Sequence, residues 1–128
     1  MSSAARPDLP AHAEAVRLPF NELVTELREI LGARLVAYLA SVQETRAVNQ
    51  WGEGTRETDG DTMRRLREAF VIAKTLAQSD PPPVVQAWFQ GLNPLLDDRS
   101  PARLLREGEL DDAGRQVLAA ARMFLATG

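Results

Sequence analysis

The 128-residue sequence has no cysteine, one histidine and one lysine, and only 5% of it is aromatic. Without cysteine there is no disulfide framework, no thiolate metal site and no cysteine nucleophile. The single histidine, His12, falls in residues 1–19, which read as a flexible tail, so a His-based catalytic triad and a multi-histidine metal centre are both excluded. The eight glycines stand singly at expected helix ends and build no phosphate-cradling loop. No stretch approaches the roughly 20 apolar residues of a membrane span. Arg6, Asp8, Glu14 and Arg17 interrupt the first residues, unlike a secretory leader. These absences point to a soluble, cytoplasmic binding protein and away from an enzyme, with no cofactor and no membrane partner.

Apolar residues make up 45% of the chain and charged ones 26%, proportions that suit one packed domain. Fourteen of the 15 basic residues are arginine. The guanidinium fork suits oxyanions, but a GC-rich coding sequence that favours arginine and alanine accounts for the same count more readily. A formal charge of −3 argues against non-specific coating of nucleic acid, so any DNA contact has to be local.

Apolar spacing predicts seven helices and no strand, hence an all-α fold. Phe20, Leu23, Val24, Leu27, Ile30 and Leu31 form the first helical face, ended by Gly32. Leu35, Val36 and Leu39 mark a short second helix, and Ala47, Val48 and Trp51 a third. Met63, Leu66, Phe70, Ala73 and Ala77 stripe a fourth. Pro81, Pro82 and Pro83 stop it and start a fifth, with Val84, Val85, Trp88, Phe89 and Leu92 on its inner face. Ser100 and Pro101 open a sixth through Leu104 and Leu105. Asp111 and Asp112 sit at the positive end of the last, whose inner face is Val117, Leu118, Ala121, Phe124 and Leu125. The acidic pairs Asp59/Asp61, Asp97/Asp98 and Asp111/Asp112 lack calcium-loop spacing and read as caps and solvated groups. The expected division is a tail (1–19), a helix-turn-helix-like bundle (20–62) and a compact helical subdomain (63–128).

Residues 34–54 have helix-turn-helix organisation: a short amphipathic helix, a tight connection around Val42, and a second helix ending in Trp51. Thr45, Arg46, Asn49 and Gln50 lie on the polar face of that second helix. Arginine, asparagine and glutamine present paired hydrogen-bonding groups to guanine and adenine edges. An ordinary helical hairpin with a solvated polar face fits the same pattern. The excess of Arg64, Arg65, Arg67 and Lys74 over Glu68 could position phosphates, but such a cluster is more often a solvated face or a partner contact.

Residues 39–54, LASVQETRAVNQWGEG, resemble the helix-turn-helix of Xre-type regulators, in which the recognition helix closes on a tryptophan and a nearby glycine. The connection here is one residue longer than usual, Ser41 stands where a turn glycine is common, and residues 43–54 carry a charge of −1 (Arg46 against Glu44 and Glu53). Residues 85–108, VQAWFQGLNPLLDDRSPARLLREG, resemble the toxin-binding domain of the Xre/MbcA/ParS antitoxins. The shared pattern is Trp88, the Asn93-Pro94 turn, the Ser100-Pro101 helix start and the paired Leu104 and Leu105; Asp98 departs from it where glycine is frequent. The resemblance implies a type II antitoxin, cognate to a RES-domain toxin that degrades NAD, whose C-terminal end plugs the toxin's cofactor pocket. Carried onto this chain, the plug is residues 115–128, with Arg115, Arg122, Met123, Phe124, Thr127 and Gly128 as contacts. Operator DNA and an oligomer, either a homodimer or a larger toxin–antitoxin assembly, complete the expected partners. The other class of function is a stand-alone helix-turn-helix regulator dimerised by its C-terminal helices.

Overall fold

Ala69, Phe70, Val71, Ile72 and Ala73 run without a polar break, which is too wide for one face of a helix and calls for neighbours on several sides. A computed structural model describes residues 6–127. Its elements are α1 (Leu9–Arg17), α2 (Phe20–Leu31), α3 (Ala33–Leu39), α4 (Thr45–Glu53), α5 (Gly60–Ala77), α6 (Pro82–Gln90), a 3-10 turn (Pro94–Leu96), α7 (Pro101–Glu107) and α8 (Leu110–Thr127). No sheet occurs among the described residues, and the all-α expectation stands. The apolar run lies in α5, which packs against α1, α2, α3, α6, α7 and α8. Leu66, Phe70, Ile72 and Leu76 are fully enclosed there.

One continuous core joins residues from α1 to α8, so the expected boundary between residues 62 and 63 does not divide it. On the N-terminal side α2 buries Leu23, Val24, Leu27, Ile30 and Leu31, and Trp51 of α4 lies against Phe20, their ring centroids 6.3 Å apart. Gly52 permits this approach: a Cβ there would meet the Thr25 hydroxyl at 3.1 Å.

The expected tail is a helix. Residues 9–17 form α1, with Pro10 in its first turn and Ala11 and Ala15 buried on α5. Two alanines bury little apolar area, so the stripe carries a weak signal. Polar contacts supply the rest of the hold: Arg67 of α5 donates to the carbonyls of Ala15 and Leu18 (3.1 Å to the latter), and Lys74 pairs with Glu14 at 3.8 Å and Glu26 at 3.0 Å. Arg65 acts alike on α7, donating to the carbonyls of Leu105 and Gly108. Neither the phosphate-positioning reading of Arg65, Arg67 and Lys74 nor the solvated-face reading describes them, because these side chains fasten neighbouring elements. Arg64 alone of the four faces outward, beside Asp61.

Leu92 also departs from expectation. It is 76% exposed, because Gly91 leaves α6 in an extended conformation and turns the chain outward.

Replacing Arg67 strips a charged donor from the last carbonyls of α1. Arg67→Ala should cost about 1–2 kcal/mol, seen as a lower urea midpoint, with α1 amides exchanging before those of α5. Unchanged exchange in α1 would refute the fastening role.

Candidate functional site

The turn between α3 and α4 is built on Ser41, whose φ of +60° is left-handed. That backbone explains why glycine is common at this position, and serine carries the strain here. Its amide donates to the Tyr38 carbonyl and that of Val42 to the Ala37 carbonyl, closing the turn. On α4, Ala47, Val48 and Trp51 face inward, Arg46 is exposed, and Thr45, Asn49 and Gln50 are half-buried. Two of these side chains have internal partners. Asn49 accepts a hydrogen bond from Arg28 at 2.8 Å, and Gln50 accepts one from Arg56 at 3.3 Å.

A groove of ≈ 650 Å³ opens at the N-terminal end of α4, with Arg34, Tyr38, Thr45 and Arg106 on its walls. Arg106 stacks 4.5 Å from the Tyr38 ring and donates to its carbonyl at 3.2 Å. Four arginines from outside residues 43–54, Arg28, Arg34, Arg56 and Arg106, thus reach the neighbourhood of α4. The −1 charge of residues 43–54 is a property of the sequence window and leaves those neighbours out.

In the C-terminal half the Asn93 side chain accepts from the Leu95 amide at 3.0 Å, and Ser100 accepts from the Arg103 amide at 3.1 Å, each ahead of a proline. Asp97 and Asp98 both adopt left-handed backbone, φ +57° and +59°, which accounts for the glycine frequent at the second position. Pro101, Leu104 and Leu105 are buried in the body, while Pro94 is exposed. Trp88 is half-buried and packs against Phe89 and, at 6.3 Å, Phe124 of α8.

Along α8, Arg115, Ala119, Met123 and Thr127 recur every four residues and all are exposed. Thr127 donates its hydroxyl to the Met123 carbonyl at 2.9 Å, and Arg115 pairs with Asp112 at 3.1 Å. Phe124 is half-buried against Trp88, and Gly128 lies outside the described residues. Arg122 has an internal partner: two 3.0 Å hydrogen bonds carry its guanidinium onto Asp8, which is buried and also meets His12 at 2.9 Å and Arg6 at 3.4 Å. Asp8 received no role from the sequence, although Asp8 and His12 stand at i,i+4 spacing across the start of α1. Burial pushes the Asp8 carboxyl up, but hydrogen bonds from Arg122 and Arg6 outweigh it and hold the group well below its ordinary 3.8. Glu68 is the opposite case. Burial raises it, the nearby Asp111 adds to the rise and His12 opposes it.

No family model matches the chain, and no curated protein matches it. Among solved structures it is similar to a chain of the M. tuberculosis MbcT-MbcA toxin–antitoxin complex, with 28% identity and a TM-score of 0.63 over 80% of this chain and 94% of that one. This likeness supports an MbcA-type antitoxin. The MbcA-type resemblance first seen in the Asn93-Pro94 and Ser100-Pro101 signals thus extends to the three-dimensional fold.

A carboxyl lowered on folding stabilises the protein above its unfolded value and loses that contribution as pH falls through the folded one. Asp8→Asn should weaken the docking of α1 by about 1–2 kcal/mol at neutral pH, the partial exposure of Arg122 keeping the cost below that of a fully buried pair. The gap between variant and wild type should stay level down to about pH 4, near the ordinary 3.8, and close below it. Urea titrations across pH measure this, and a gap that closes between pH 7 and 5 would contradict the assignment.

Proposed function

We propose that this chain is the antitoxin of a type II toxin–antitoxin pair that neutralises a RES-domain, NAD-degrading toxin by sterically occluding its active site. The likeness to the M. tuberculosis complex carries the antitoxin role. The exposed edge of α8 supports occlusion. Arg115, Ala119, Met123 and Thr127 line one exposed edge of a helix whose opposite side is anchored in the core through Val117, Leu118 and Ala121, with Phe124 and Leu125 half-buried near its end. A plug of this kind needs shape and apolar surface at its tip, not chemistry of its own, so the chain acts as an inhibitor and not as a catalyst. In this reading Phe124 braces the tip through Trp88, Arg122 holds it to α1, and Met123 makes the apolar contact.

Co-expression tests this directly. The protein encoded beside this chain should arrest growth alone and be harmless with it. Met123 is 52% exposed, so Met123→Asp should leave the helical content unchanged while weakening the complex at least tenfold, measured by calorimetric titration. Full protection with unaltered affinity would remove α8 from the interface.

We also propose that the pair represses its own operon through α4, with the exposed Arg46 reading bases and Arg34 contacting the backbone, the side-chain oxygen of Asn49 being engaged by Arg28. The arginines gathered around α4 favour this reading. Arg46→Ala should reduce retardation of the chain's own promoter DNA about tenfold, within the 1–3 kcal/mol of a base contact. No retardation of that DNA by the wild type at low salt would end the proposal.

A further inference from the structure

Among the described residues, eight of the 14 arginines lie within ion-pair distance of a carboxylate. Six do not, and one of these, Arg67, is spent on the last carbonyls of α1. The other five are Arg28, Arg34, Arg46, Arg56 and Arg106, and all of them stand on or beside α4. A chain of net charge −3 thus leaves its unneutralised guanidiniums gathered about one helix. Glu44 at the start of α4 and Glu53 at its end pair with none of them. The bonds that these arginines do make go to neutral oxygens: Arg28 and Arg56 donate to Asn49 and Gln50, and Arg106 to the Tyr38 carbonyl. Such bonds hold a guanidinium in place without cancelling its charge, so a local positive field remains for an anionic partner.

Arg106 differs from the other four in its origin. It belongs to α7, outside the helix-turn-helix segment, and crosses to α3, where its guanidinium stacks 4.5 Å from the Tyr38 ring. Stacking and one 3.2 Å hydrogen bond fix the plane of the fork while leaving most of its donors uncommitted. The fork lines the groove at the N-terminal end of α4, and Arg34 lines the same groove.

We propose that Arg106 holds a phosphate of the operator backbone together with Arg34, so that the DNA surface extends past the helix-turn-helix onto α7. This inference rests on the reading of α4 as the operator-binding helix and adds a contact which that segment does not contain. A cation beside the reading helix, and not on it, meets the strand that borders the groove in place of the base edges inside it. Arginine takes a phosphate through two parallel hydrogen bonds, and a fork whose plane is already set loses less freedom in forming them. The contact adds affinity for any duplex and fixes the register of α4 on the right one.

Retardation of the chain's own promoter DNA and of an unrelated duplex, each measured from about 50 to about 200 mM salt, tests the contact. Arg106→Ala should weaken both by the same factor, about fourfold at the lower salt, and should reduce the slope of log affinity against log salt by about 0.9, the share of one phosphate. Arg106→Lys keeps the charge without the stacked fork and should keep the wild-type slope. A role confined to holding α7 against α3 would affect the two variants alike and leave the slope unmoved. Arg17→Ala removes the same charge from an exposed position on α1 and should bind as the wild type does. An unchanged slope in Arg106→Ala, a slope lost in Arg106→Lys, or an equal loss in Arg17→Ala would each overturn the proposal. A wild type that retards neither duplex removes the operator reading of α4 and this contact with it. Loss of promoter binding in Arg46→Ala beside wild-type behaviour in Arg106→Ala removes the phosphate contact alone.

Discussion

Helices leave their last carbonyls without partners, and in this protein two of those ends are closed by arginines of the central helix. Arg67 reaches the end of α1 and Arg65 the end of α7, so α5 supplies both the apolar surface on which its neighbours pack and the donors that fix where they stop. A guanidinium spans two carbonyls at once, which fixes angle as well as distance. The positions of α1 on one side and α7 on the other follow from those bonds. The Ser100-Pro101 motif opens α7, so its placement follows as well.

A second ionic arrangement ties the two ends of the described chain. Asp8 lies at the start of α1 and Arg122 near the end of α8, and their paired hydrogen bonds hold α1 beside the outer turns of α8. The apolar contribution of α1 is only Ala11 and Ala15, so it is an element held chiefly by charge. Elements held in this way open more readily than those buried by large side chains. The end of α8 on which the inhibitory role is placed therefore shares its anchor with the least deeply packed helix described.

Helix starts and stops were legible in the residues. Gly32, the Pro81–Pro83 run, the Asn93-Pro94 turn and the Ser100-Pro101 cap all mark real boundaries, because each acts on the backbone within one turn of itself. The inner faces of α2 and α4 were legible for the same local reason. The helix at residues 9–17 was not, since alanines contribute almost nothing to an apolar stripe. Leu92 misled in the opposite direction, because periodicity assumes that the helix continues and Gly91 ends it first.

The sequence by itself determined that the chain is helical, where most helices begin and end, and which motifs resemble an antitoxin. Tertiary structure alone decided what the arginines do. The carbonyl partners of Arg65 and Arg67 lie 40 to 52 residues away and the carboxylate partner of Arg122 lies 114 residues away, so no local window distinguishes a guanidinium that fastens a helix from one free to meet a partner. Backbone preferences are settled between near neighbours along the chain. The pairing of a long charged side chain is settled only when folding brings distant carbonyls and carboxylates within its reach.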